Sequence, residues 1–188
     1  MSDATTTERS RALFATAHQA LLFAYTFSAN QHAVTAAAER AIALQARERY
    51  AAAPVVSRGL GGLDGAAQAG MIKRTVEALG GPYRQSIEAR FAVTDDGVKI
   101  RAQRQLTFFV RRRLRYDGCS LQLLAECVQR RYGARKSVQA MADAHGTPKR
   151  TVERWLREVL HILEYFDRDA MRRVELGLER SGICECVA

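Results

Sequence analysis

Proline occurs only three times in this chain of 188 residues, runs of β-branched residues are nearly missing, and alanine is abundant. Such a chain lacks the material for sheets and should be helical throughout. No apolar run approaches the ~18 residues a helix needs to cross a bilayer. The opening residues are polar and rich in Thr and Ser, without the basic-then-apolar order of a signal peptide. A cytoplasmic, nucleoid-associated protein with reduced cysteines is the expectation. Cysteine is also scarce. Cys184-Glu185-Cys186 is too tight for the usual zinc knuckle and no second close pair accompanies it. Cys119 and Cys127 read as packing residues two turns apart on one helical face. His18, His32, His145 and His161 fall in four unrelated helical contexts, so no histidine-centred catalytic arrangement is indicated. The glycine-rich stretch 59–65 has neither a preceding strand nor a following Gly-Lys-Ser/Thr, and reads as a hinge rather than a phosphate cradle. No enzyme activity, cofactor or metal is expected.

What is present is positive charge in one place. Residues 1–98 carry 10 basic and 9 acidic groups, residues 99–136 carry 11 and 2, and residues 137–188 carry 8 and 9. The whole net charge of +9 therefore lies in the middle band. A concentrated band attracts phosphates, whereas a scattered excess would mainly aid solubility. A solvated helix face is the plainer reading of any such run.

Apolar spacing places the elements. Leu13, Phe14, Ala17, Leu21, Ala24 and Phe27 predict a helix from Ser10 to about Phe27. Ser28-Ala29-Asn30 is expected to break it before a second helix that runs through Ile42 and Leu44 to about Tyr50. Pro54 and Gly59-Leu60-Gly61-Gly62 form the best internal joint. Asp64 is placed to cap a helix whose buried stripe is Ala67, Met71, Ile72, Val76 and Leu79. Gly80-Gly81 ends it, and Pro82 opens a helix carrying Ile87 and Phe91. After the turn at Asp95-Asp96-Gly97, a short extended piece at Val98-Lys99-Ile100 precedes a helix with Leu106, Phe109, Val110 and Leu114 inward. A helix from about Ser120 to Tyr132 is stopped by Gly133. The expected division is 1–56, an N-terminal helical segment; 57–97, a helical pair; 98–178, the basic stretch with a reading unit; and 179–188, a tail. The fold class is all-α.

The reading unit is residues 138–157, in which a short helix, a tight glycine turn and a basic-faced second helix follow one another. Ser137 caps the first helix. Ala142 has room only for a methyl where two helices cross, and Gly146 falls where the chain leaves the first helix through φ > 0. Thr147 is placed to cap the second helix, with Pro148 at its first position. Val152 and Trp155 lie on the inward stripe, which leaves Lys149, Arg150, Glu153, Arg154 and Arg157 outward. This pattern is a helix-turn-helix, a reader of the DNA major groove. The second helix continues through Val159, Leu160, Ile162, Leu163 and Phe166, and a separate last helix spans about Asp169 to Leu178.

From Arg130-Arg131-Tyr132-Gly133 through Ser137-Val138, Met141-Ala142 and Gly146-Thr147-Pro148 to Thr151-Val152, the chain resembles region 4 of bacterial sigma factors. With Leu22-Phe23-Ala24-Tyr25-Thr26-Phe27-Ser28-Ala29-Asn30 and Ala69-Gly70-Met71-Ile72 it also resembles the Q-type late-gene antiterminators of phages. That resemblance implies a protein that binds double-stranded DNA near a promoter, engages paused RNA polymerase with its sigma factor, and promotes read-through of terminators. It further implies that Lys149, Arg150 and Arg154 touch bases or nearby phosphates, and that Thr147 and the helix N–H groups bind a phosphate. On the same basis Arg111, Arg112, Arg113, Arg115, Arg130, Arg131, Arg135 and Lys136 steady the DNA backbone or line the path of nascent RNA. A second copy of the chain could share one DNA element, because a single reading helix covers few base pairs. The alternatives are a promoter-bound activator or repressor and, from other classes, the DNA-targeting domain of a recombinase or transposase, or a terminase small subunit.

Overall fold

The computed structural model describes residues 12–32, 62–114 and 118–184. Among them are seven helices and, in place of any sheet, one isolated parallel bridge between Phe14 and Cys184. The all-α expectation holds at that level. The helix expected to end near Tyr50, and most of the glycine joint, lie outside the described residues.

Helix α1 spans Ala17–His32 and starts later than its apolar spacing suggested. Thr16 Oγ1 accepts from Gln19 N at 3.3 Å and so caps the helix, while the Phe14 amide donates to Ile183 O at 3.1 Å. The turn before α1 is therefore extended because it is tied to the far end of the chain. Ser28-Ala29-Asn30 does not break α1, whose backbone continues to His32. Helix α2, Gly62–Glu77, carries Asp64 within its first turn rather than as its cap, where a carboxylate still favours the helix dipole. Its buried residues include Ala69, Ile72 and Val76; Ala67 and Met71, expected inward, are exposed.

Helix α3, Gly81–Phe91, opens with proline in its first turn and buries Ile87 and Phe91, as its sequence indicates. Helix α4, Asp96–Arg113, replaces the expected extended piece at 98–100. Asp95 Oδ1 accepts from Val98 N at 3.0 Å, so the aspartate that marked a turn in the sequence is an N-cap. Helix α5, Leu121–Arg131, and helix α6, Val138–Ala144, begin at serine caps: Ser120 Oγ accepts from Leu123 N at 3.2 Å, and Ser137 Oγ from Ala140 N at 3.0 Å. Helix α7, Lys149–Arg180, is continuous over 32 residues, about 48 Å. The expected break before Asp169 is absent.

That continuity organises the molecule. Val152, Trp155, Leu156, Val159, Leu163 and Phe166 of α7 join residues of α3, α4, α5 and α6 in one apolar cluster. Further along, Ala170, Val174 and Leu178 join α1, α2 and α3 in a second. Between the two clusters the buried Asp167 accepts from Ser86 Oγ, from Tyr132 OH at 2.9 Å and from Arg131 Nη2 at 2.9 Å. One carboxylate thus ties α3 and α5 to α7. Burial and the adjoining Asp167 charge raise the Tyr132 phenol above its ordinary range, which keeps it a donor.

Candidate nucleic-acid interface

The turn between α6 and α7 is defined by backbone bonds. The Gly146 amide donates to Asp143 O at 3.4 Å and the Thr147 amide to Ala142 O at 3.0 Å. This paired arrangement is a Schellman ending, and it requires the left-handed φ of 58° found at Gly146. The expected cap is corrected as well. The first bonds of α7 run from the Thr151 and Val152 amides to Pro148 O, so Thr147 stands one residue before the N-cap, and its Oγ1 donates to His145 O at 3.2 Å. Pro148 takes the N-cap position and no side chain caps α7. Pro148 therefore stands one place before the first helical position expected for it.

Met141, Ala142, Val152 and Trp155 are all buried in the first cluster, so the inward stripe read from the sequence is the one the structure packs. Lys149, Arg150, Glu153, Arg154 and Arg157 are exposed on the first turns of α7. They recur every three to four residues, which puts four cations and one carboxylate on the side opposite the core.

A polar clamp holds the turn to α5. Lys136 Nζ lies 2.7 Å from Glu126 Oε1, and His145 Nε2 lies 3.3 Å from Glu126 Oε2. Burial alone would raise the Glu126 carboxyl, but the Lys136 hydrogen bond and the nearby His145 outweigh it and hold the group below its usual range. Arg130 Nη1 donates to Lys136 O and fixes the chain that enters α6. Nothing in local spacing announced Glu126. The available signal was that it is one of only two acids in the basic band 99–136.

Five of the ten described cations in the band are committed to internal contacts. Arg111 Nη1 donates to Cys119 O at 3.0 Å. Arg113 lies over the rings of Tyr165 and Phe166, at 5.1 and 5.0 Å. Arg131 pairs with Asp167, and Arg130 and Lys136 serve the clamp. Of the eight residues expected along a nucleic-acid backbone, Arg112 and Arg135 are exposed without an ion pair among the described residues, and Arg115 lies outside those residues.

Cys119, Cys127 and Cys184 are buried free thiols. Cys119 precedes the Ser120 cap, so it is not on the helix of Cys127, although the two share one cluster. Burial, with Cys119 adding to it, pushes the Cys127 thiol up to about 12. Cys186 lies outside the described residues, among which no three His, Cys, Asp or Glu side chains are placed to hold a metal. No described helix is long and apolar enough to cross a membrane. Comparison with protein-family models, curated proteins and solved structures returns no match.

Proposed function

We propose that α6, the Gly146 turn and the first turns of α7 form a helix-turn-helix that reads double-stranded DNA, in a transcription regulator. The observation that carries the reading is the division of α7 at its start. Val152 and Trp155 are buried against α6, while Lys149, Arg150, Arg154 and Arg157 are exposed on the other side. A helix presented in this way can enter a major groove with its N-terminal residues toward base edges. The first turn of α7 has no side-chain cap; the Thr151 amide is bonded to Pro148 O at 2.8 Å, which leaves the Lys149 and Arg150 N–H groups to meet a phosphate. Glu126 supports this site as a positioning residue, because it fixes the turn without facing the groove.

Within that class we propose antitermination, on the strength of the sequence resemblance to Q-type antiterminators. The protein would bind near a promoter, load on a paused RNA polymerase and travel with it. Crosslinking and sequencing of the tagged protein across its host's genome tests this. Occupancy that extends from a promoter through the downstream transcription unit is expected. A sharp peak confined to the promoter would leave the DNA reader standing and replace antitermination with local activation or repression. For the reader itself, sites are selected from random duplexes, and Arg150→Ala should cost about 1–3 kcal/mol on the selected site with relaxed preference at one position. Equal loss on every duplex would make Arg150 a phosphate contact.

A further inference from the structure

We propose that the outward face of α4 is a separate surface for single-stranded nucleic acid, with Phe108 as the platform on which a base stacks and Arg101, Arg104 and Arg112 around it for the phosphates. It does not depend on the duplex reading at α7.

The chain has seven phenylalanines, all among the described residues. Six are buried or half-buried, and Phe108 is 58% exposed. Its setting is specific. At about 100° per residue, Ile100, Arg101, Arg104, Phe108 and Arg112 fall within one arc of roughly 120°, and all five are exposed. The opposite arc holds Ala102, Leu106 and Val110, which are buried, so the helix cannot turn this face inward. The only acid within α4 is Asp96, in the first turn. Arg101, Arg104 and Arg112 form no ion pair among the described residues, whereas Arg84, Arg131 and Arg173 each do. From Arg101 to Arg112 the stripe runs about 16 Å.

Cations alone would suit any polyanion. The ring at their centre selects among polyanions, because a duplex keeps its base faces stacked on one another and offers a side chain only edges, while a single strand offers the faces. An exposed aromatic interleaved with arginines is the arrangement that binds strands without base-edge readout.

The test uses the full chain with fluorescein-labelled RNA and DNA strands of about 12 nucleotides in mixed sequence, and a duplex of that sequence, followed by anisotropy across a salt series. Phe108→Leu keeps the apolar contact and removes the stacking face. It should weaken binding to strands by roughly 5- to 150-fold and leave the duplex unchanged, whereas Phe108→Trp should retain strand binding. Replacing Arg101, Arg104 and Arg112 with Gln should flatten the strand's log–log salt slope by about two units. Comparing the two strands tells whether RNA or DNA is the natural ligand. The proposal is overturned if the wild-type chain binds neither strand, if Phe108→Leu binds strands as well as wild type does, or if it loses duplex and strand alike. The second outcome would turn the face over to an acidic protein partner. Thermal melts of each variant separate lost binding from lost folding, and failure to select any duplex site would sink the α7 reading and leave this one intact.

Discussion

Gly177 offers the sharpest test of how the amino-terminal helices sit on α7. A methyl group added there falls 2.6 Å from Thr75 Cγ2 on α2, well inside the ~4 Å at which carbons rest in contact. Thr75 cannot simply swing aside: its Oγ1 donates to Met71 O at 3.1 Å, and branching at Cβ leaves it few rotamers. Overpacking of this kind costs about 1–3 kcal/mol, against which alanine gains about 0.5–1 kcal/mol over glycine within a helix. Gly177→Ala should therefore destabilise the protein by about 1 kcal/mol. Gly70 supplies the control. It lies inside α2 with open space around an added Cβ, so Gly70→Ala should stabilise by about 0.5–1 kcal/mol. Thr75→Ser removes the obstructing methyl and keeps the hydroxyl, and in that background Gly177→Ala should become neutral or stabilising. Urea melts of the four members of the Gly177/Thr75 cycle measure the coupling directly. If Gly177→Ala stabilised as much as Gly70→Ala in both backgrounds, α2 would not approach α7 this closely, and the packing described for the second cluster would be refuted.

Three other outcomes are expected. Glu126→Gln should loosen the turn and weaken binding to every duplex; because the folded carboxyl titrates below its ordinary value of 4.5, the stability advantage of wild type should be present at neutral pH and close as pH falls through that lowered value, which melts across an acid series will show. Asp167→Ala strands Ser86, Tyr132 and Arg131 together and should cost about 3 kcal/mol in denaturant melts, with Asp167→Asn intermediate because an amide oxygen still accepts. The Cys127 thiol titrates near about 12 in the fold against 9.0 ordinarily, so the unfolded chain loses its proton first and stability should fall above pH 9.0 by up to about 1.4 kcal/mol per pH unit, a slope that Cys127→Ala should make shallower.

The elements legible in the sequence are those whose causes are local. Ser137 caps where it was read to cap, the helix expected from about Ser120 starts beside it, Gly146 takes the left-handed turn, and Ala142, Val152 and Trp155 are buried as their places in the pattern imply. The misreadings trace to partners far along the chain. Helix α1 starts late because Phe14 is paired with the segment at 183–184. A separate helix was expected from about Asp169, but Asp167 is the buried tie between clusters and Asp169 pairs with Arg173 one turn on, 2.9 Å away, within one continuous helix. Thr147 fits a cap by type, yet α7 starts one residue later, at Pro148 O, and the Thr147 hydroxyl turns back to His145 O. The basic band showed its charge but not its commitments, since an arginine facing solvent and one bonded to Cys119 O are the same letter.

The unbroken α7 gives these observations a common consequence. Its first turns present the exposed cations, its middle holds Asp167, and its end packs on α1 and α2. A separate last helix, as the sequence suggested, would have left a hinge between the cations and the second cluster. A continuous helix instead has every backbone bond of its interior in place, so bending it at Asp167 would break both those bonds and the ties to Ser86, Tyr132 and Arg131. The orientation of the exposed turns is therefore set by the first cluster directly behind them and by the Asp167 ties at its far edge. A perturbation confined to the second cluster, such as Gly177→Ala, should lower stability while leaving duplex affinity of the folded fraction unchanged. Asp167→Ala releases the helix where the two clusters meet and should reduce both.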